Sequence, residues 1–360
     1  MRKILALILA VAMIFVIAAC ATTEETPTTT DQPAVAEPAT PAEPTEPTTP
    51  AEPAEKEWRI VTVVKLTGVT WFDRLEEGII SFASDTGIDS TMIGPATADV
   101  ALQVQMVEDL IAQGVDAICV VPISAEAMDP VLRRAMDEGI VVISHEAPDL
   151  VNIDFNIEAF DNTAFGEAVM KVLAEEMGGE GEYVTSVGHL TATSHNLWEE
   201  GAVAYQEANY PNMVAVQRKI ENHDDQMVIY DRIREVMKAH PNVTGIVGMG
   251  SESPPGAALA IEEMGLSGVV KIVGTGIASV SGSYIKDGTI QAVATWDPRT
   301  SGYAMSLLAQ MILEGRGGEI VDGANLGLPG YESIKIIDGK YIEGNDILIK
   351  TKENLADYNF

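Results

Sequence analysis

Residues 117–144 read AICVVPISAEAMDPVLRRAMDEGIVVIS. Ala117 to Val121 is an unbroken apolar run stopped by Pro122. Ala125 to Glu138 follows with a helical pattern, Gly139 closes it, and Ile140 to Ser144 is apolar again. A strand without polar alternation is covered on both faces, and strands joined by a crossover helix lie parallel. The same grammar extends in both directions. Upstream, strands are expected at 59–64 and 90–94 and helices at 72–86 and 99–113, the latter carrying Leu102, Met106, Leu110 and Ile111 on one side and ended by Gly114. Asn152 to Phe155 reads as a fifth strand, and Asn156 to Ala159 as a connection. From residue 162 the rhythm restarts, with helices at 162–177, 197–208, 224–239, 255–264, 281–287 and 300–314. Strands are expected between them at 182–188, 213–218, 243–248, 269–274 and 290–295.

The fold class is therefore α/β: two doubly wound parallel-sheet lobes joined by a hinge. The expected division is 58–159 plus 297–325 for the N-terminal lobe and 160–296 plus 326–360 for the C-terminal lobe. The hinge lies near 156–162 and 295–298, and the tail after Gly323 offers a third crossing. In open α/β sheets ligands bind beyond the carboxyl ends of strands, so the residues there carry the functional reading.

The N-terminus speaks to compartment. Arg2 and Lys3 precede the apolar run Ile4 to Ala18, and Ile17-Ala18-Ala19-Cys20 follows. Residues 1–20 read as a secretory signal. The small residues before Cys20 resemble a bacterial lipoprotein processing box, in which that cysteine is acylated. Residues 21–57 hold eight prolines and nine acidic residues against one lysine, Lys56, and read as a disordered linker. The formal charge of −32 disfavours nucleic acid and anionic lipid as partners. The expected membrane link is the lipid anchor alone. Cys119, the other cysteine, reads as a small buried hydrophobe.

At the strand ends, Lys65 leads into Leu66-Thr67-Gly68-Val69-Thr70-Trp71-Phe72. Lys65 can donate to a hydroxyl or oxyanion, and Trp71 or Phe72 can cover a sugar ring; the alternative is a solvent-facing lysine and two core aromatics. Ser144-His145-Glu146 leaves its apolar strand abruptly. Glu146 can accept from hydroxyls and His145 can donate and accept, unless the trio is a cap or turn. Ser194 and His195 fall near a helix start, where free amides point. His189 reads as either functional or structural, and Trp198 more as a core or hinge residue than a platform. Met249, Ser251 and Glu252 follow one strand, Gly274-Thr275-Gly276 ends another, and Trp296-Asp297 sits at the hinge, Asp297 as a hydroxyl acceptor. The two Gly-x-Gly pairs lack the third glycine of a dinucleotide fingerprint, and no phosphate loop, serine elbow or H-E-x-x-H pattern occurs. Neither metal nor cofactor is expected, nor an enzyme.

The segments Lys65 to Val69, Asn196-Leu197-Trp198, Trp296-Asp297 and Lys352 to Phe360 resemble the sugar-type periplasmic binding proteins of ABC importers, type I solute-binding proteins. The closer match is the branch holding the autoinducer-2-binding and rhamnose-binding proteins. The resemblance covers nearly all of residues 58–360. It implies a Venus-flytrap fold, ligand capture between lobes, docking on an ABC permease and no catalysis. Lys65 matches a lysine that contacts the ligand in the autoinducer-2 binders. Glu146 falls where they have aspartate, Ser194 and His195 where they have aspartate and glutamine, and Met249 and Ser251 where they have proline and alanine. Trp296-Asp297 matches a tryptophan–aspartate pair. These departures point away from autoinducer-2 and toward a monosaccharide such as rhamnose, another deoxy sugar or a pentose. The alternatives are autoinducer-2 uptake or signalling, and a sensor presenting sugar to a chemoreceptor or membrane kinase.

Overall fold

A computed structural model describes residues 57–357 and 360. The signal segment, Cys20 and all but residue 57 of the expected linker lie outside the described residues. No described helix is long and apolar enough to cross a membrane.

The first lobe runs β1 (Arg59–Val63), α1 (Thr70–Thr86), β2 (Asp89–Ile93), α2 (Val100–Gln113), β3 (Ala117–Val120), α3 (Ala125–Asp137), β4 (Val141–His145) and β5 (Phe155–Glu158). The second runs α4 (Asn162–Met177), β6 (Glu180–Val187), α5 (Thr193–Asn209), β7 (Asn212–Glu221), α6 (Gln226–Ala239), β8 (Val243–Gly248), α7 (Ser253–Glu263), β9 (Lys271–Thr275), α8 (Ala278–Asp287) and β10 (Ala292–Thr295). The chain then returns through α9 (Pro298–Leu313), β11 (Lys335–Ile337) and β12 (Tyr341–Glu343) to the first lobe, and ends with β13 (Leu348–Thr351) in the second.

Local chemistry sets these boundaries. Asp99, Ser124, Asp161, Asp225 and Asp297 accept backbone N–H bonds at the starts of α2, α3, α4, α6 and α9, while left-handed Gly87, Gly114, Gly178 and Gly288 end α1, α2, α4 and α8. Every residue of β3 is buried, as a parallel strand covered by helices requires. The parallel strands order as β2-β1-β3-β4-β5 and as β7-β6-β8-β9-β10, one winding used twice.

Two features differ from the sequence reading. First, each sheet acquires an antiparallel edge pairing: β11 with β12, and β10 with β13. Because β12 pairs parallel with β5, residues 335–343 extend the first sheet rather than joining the C-terminal lobe with the rest of 326–360. Second, the fifth strand is Phe155–Glu158, so Asn156 to Glu158 is sheet, not connection. Its polar residues mimic a loop but are buried and paired. Asn156 accepts from the Ser144 hydroxyl at 2.9 Å and donates to Glu158 at 3.0 Å.

Three short crossings join the lobes, after β5, β10 and β12, and they run side by side. Gly344 N–H donates to the Glu158 carbonyl at 2.9 Å and Asp346 N–H to the Ala159 carbonyl at 3.0 Å. An aromatic group packs there around the buried Trp296, with Phe160 at 5.0 Å, Trp198 at 5.6 Å and Trp71 at 4.6 Å between ring centroids. Trp198 can sit this deep because α4 and α5 touch closely at Gly166, where a Cβ would lie 2.0 Å from the Trp198 carbonyl oxygen.

Candidate ligand-binding site

The carboxyl ends of both sheets face one narrow cavity. From the first lobe, β1 carries the chain through buried Val64 into Lys65, 3 % exposed. Its Nζ lies 2.6 Å from Oε2 of Glu146, which directly follows β4. Glu146 takes φ 57°, a left-handed conformation that costs a non-glycine residue of order 1–3 kcal/mol where the surroundings enforce it. That turn swings its carboxylate onto the lysine. Burial pushes the Glu146 carboxyl up, but Lys65 and the neighbouring imidazoles outweigh it and hold it below its ordinary value. Burial likewise pushes the Lys65 ammonium down, and Glu146, then Asp224, more than reverse this. Both groups are therefore charged at neutral pH.

From the second lobe, His195 lies in the first turn of α5. Its Nδ1 accepts the Gly188 N–H at 3.1 Å, so the neutral ring carries its hydrogen on Nε2, 3.9 Å from Glu146 Oε2. Burial, helped by Lys65, pushes its pKa down to about 4. The imidazole is thus a neutral donor facing the cavity. Asp224 follows β7, also left-handed at φ 53°. It reaches the cavity past Gly188, where a Cβ would lie 2.1 Å from Asp224 Oδ1 and 2.9 Å from His195 Cε1. Despite burial, the His189 contact, then His195 and Lys65, keep the Asp224 carboxyl below its ordinary value. Thr275 ends β9. Its hydroxyl and the Trp296 indole N–H are buried without a hydrogen-bond partner among the described residues.

Of the residues singled out in the sequence, Lys65, Trp71, Phe72, Glu146, His195, Ser251 and Trp296 line this cavity together. The others do not line it. His145 sits behind Glu146, donating from Nδ1 to the Ile157 carbonyl at 2.5 Å, and burial keeps it neutral. Ser194 is buried in α5, with its hydroxyl unpartnered among the described residues. Met249 is wholly buried, its N–H on the Ser186 carbonyl. Glu252 flanks the start of α7, its carboxyl pushed up to about 7 by burial and then by Asp224. A Cβ on Gly276 would face Ser281 and Val293, not the cavity. Asp297 is not a free acceptor. Arg74 holds both its oxygens at 2.9 and 2.8 Å, and it caps α9.

The cavity also takes Val69, Trp198, Asp224 and Thr275, which the sequence reading did not assign to ligand. Thr275 lies inside the strand-end segment Gly274-Thr275-Gly276, next to the expected Gly276. Asp224 sits in the polar run Asn222-His223-Asp224-Asp225 at a strand end, a signal that was hidden by reading it as the start of a helix.

A two-lobed frame with polar groups converging from both sheets at the hinge matches one family along most of its length: the periplasmic binding protein domain model covers residues 60–317. The chain belongs to that family. Among its relatives, the xylitol-binding protein of Mycolicibacterium smegmatis is 28% identical over 249 residues, covering 64% of this chain and 70% of that one. The D-allose-binding periplasmic protein of Escherichia coli is 26% identical over 252 residues, 67% of this chain and 80% of that one. In structure, a solute-binding protein from Clostridium phytofermentas with bound L-rhamnose superposes with a TM-score of 0.77 at 22% identity, covering 84% of this periplasmic binding protein and 98% of that chain. LsrB from Clostridium saccharobutylicum in complex with AI-2 gives 0.76 at 21% identity, with coverage of 84% and 100%. These two likenesses establish the shared fold.

Proposed function

We propose that this protein captures a neutral monosaccharide outside the cytoplasm, of the rhamnose, deoxy-sugar or pentose class, and delivers it to an ABC permease while tethered through Cys20. One observation carries the reading. Two lobes bring a buried lysine–carboxylate pair, a neutral imidazole donor, a second carboxylate and an unpartnered threonine hydroxyl to one cavity walled by Trp71, Phe72, Trp198 and Trp296. Each sugar hydroxyl both donates and accepts. Glu146 and Asp224 supply acceptors, Lys65 and His195 Nε2–H supply donors, and indole faces suit the C–H face of the ring. Lys65 and Glu146 cancel each other's charge and Asp224 leaves the lining net negative, which disfavours an anionic ligand.

The mechanism is mechanical. Ligand held by both walls stabilises the closed arrangement by its affinity difference between closed and open states, and the closed surface is what a permease reads. The sugar names carried by the relatives support the substrate class. A thermal-shift panel of pentoses, hexoses, deoxy sugars, polyols and autoinducer-2 tests it. One neutral sugar should raise the melting temperature in proportion to the logarithm of its concentration. A shift with autoinducer-2 alone would replace the monosaccharide reading, and no shift with any compound would end it.

A further inference from the structure

A second constellation sits on the second lobe beside, and outside, the cavity. His189 follows β6, Glu221 ends β7 and His223 comes two residues later. One ligand atom from each lies within 4.8 Å of the others. His189 Nδ1 and His223 Nδ1 are each 3.9 Å from Glu221 Oε1, and the rings lie 5.6 Å apart, tilted by 49°. We propose that His189, Glu221 and His223 bind a divalent transition-metal ion of the zinc class.

The geometry is close to a filled site without being a hydrogen-bonded cluster. Four ligands at 2.0–2.1 Å around zinc stand roughly 3.4 Å apart, so each imidazole must approach Glu221 by about half an ångström. At 3.9 Å neither imidazole hydrogen-bonds the carboxylate. The backbone holds the three in place. Leu190 N–H donates to Glu221 Oε1 at 2.9 Å, and His223 N–H donates to the Gly188 carbonyl at 2.8 Å. His223 and Asp224 are left-handed in succession, at φ 57° and 53°. This turn sends one side chain to each side, His223 toward Glu221 and Asp224 toward the cavity.

Asp224 Oδ2 also lies 3.3 Å from His189 Nε2. A carboxylate beside the far nitrogen stands where metal-binding histidines commonly have their outer partner; here the two atoms are close without being hydrogen-bonded. With three protein ligands and an exposed His223, water would complete the coordination. Two imidazoles and one carboxylate favour zinc, cobalt or nickel over calcium or magnesium, which prefer oxygen.

The test is calorimetric titration of the protein with Zn²⁺ in a non-chelating buffer. The −32 chain gathers cations non-specifically, so variants decide the outcome. The site predicts one tight Zn²⁺ that millimolar Ca²⁺ does not displace. His223→Ala, a change at an exposed position, and Glu221→Gln should each weaken it by ~100-fold or more, since even outer partners are worth about 10–100-fold. Circular dichroism should show both variants folded. Absence of tight Zn²⁺ binding, or native Zn²⁺ affinity in either folded variant, overturns the proposal.

Discussion

The two walls of the cavity bury polar groups in opposite ways. In the first lobe, Lys65 and Glu146 neutralise each other at 2.6 Å, so the charges of that wall are paired. In the second, the Thr275 hydroxyl has no partner among the described residues and His195 points its Nε2–H inward. A paired buried charge is costly to break because its partner is left stranded, whereas an unpartnered donor or acceptor gains most from a ligand. The first wall should therefore govern stability together with binding, and the second wall chiefly binding.

The largest effect is expected at the ion pair. Lys65→Ala strands a buried carboxylate and should lower folding stability by about 3–5 kcal/mol in urea denaturation, while Lys65→Met with Glu146→Gln should cost well below the sum of the single changes. Additive losses would mean that the two groups do not stabilise each other.

Next comes Glu158, also on the first-lobe side, whose carboxyl is pushed up to about 8 mainly by burial. The folded state keeps that proton while the unfolded chain loses it near its ordinary 4.5, so stability falls as pH rises from 4.5 to about 8. Glu158→Gln should remove this slope, worth on the order of 5 kcal/mol, and stabilise the protein more at pH 8 than at pH 5. Equal effects at both values would contradict the shift.

His195 gives the opposite slope. Its pKa falls from 6.5 to about 4, so the unfolded chain takes up a proton that the folded state refuses, and stability drops as pH falls from 6.5 toward 4. His195→Ala should remove a loss on the order of 3 kcal/mol at acidic pH. At neutral pH it should cost far less stability than Lys65→Ala, yet weaken the ligand roughly 5–150-fold, the worth of about 1–3 kcal/mol. Between pH 4.5 and 6.5 the Glu158 and His195 slopes oppose each other, so the two variants separate what the native protein's melting curve merges. The smallest effect is expected for Trp296→Phe. It removes the unpartnered N–H and keeps a ring, and a loss of affinity of only a few-fold should show in the same titration.

The frame is largely legible in the sequence, and for physical reasons. Unalternated strands such as Ala117–Val120, glycine stops and aspartate caps are local signals. What stayed hidden depended on distant partners. Asn156 and Glu158 look like loop because only tertiary pairing makes their burial tolerable. Residues 335–343 join the first sheet because β5 offers them an open edge, which local pattern does not record. At the site, Lys65 and Glu146 stand out as polar residues where apolar strands end, and His195 as a polar residue at a helix start. Asp297 carried the same signal but is taken by Arg74, which precedes it by 223 positions. Asp224 was missed because a helix cap and a cavity carboxylate look alike in sequence, and here adjacent aspartates divide the work: Asp225 caps α6 and Asp224 faces the cavity.

The most direct test is calorimetry of the native protein, His195→Ala and Thr275→Val at pH 7.5, against the sugar that best raises the melting temperature. The two-wall reading predicts one sugar per protein and a weaker interaction in both variants, with both still folding cooperatively. Native affinity in both variants would contradict it, because ligand would then be held without the wall that faces the ion pair.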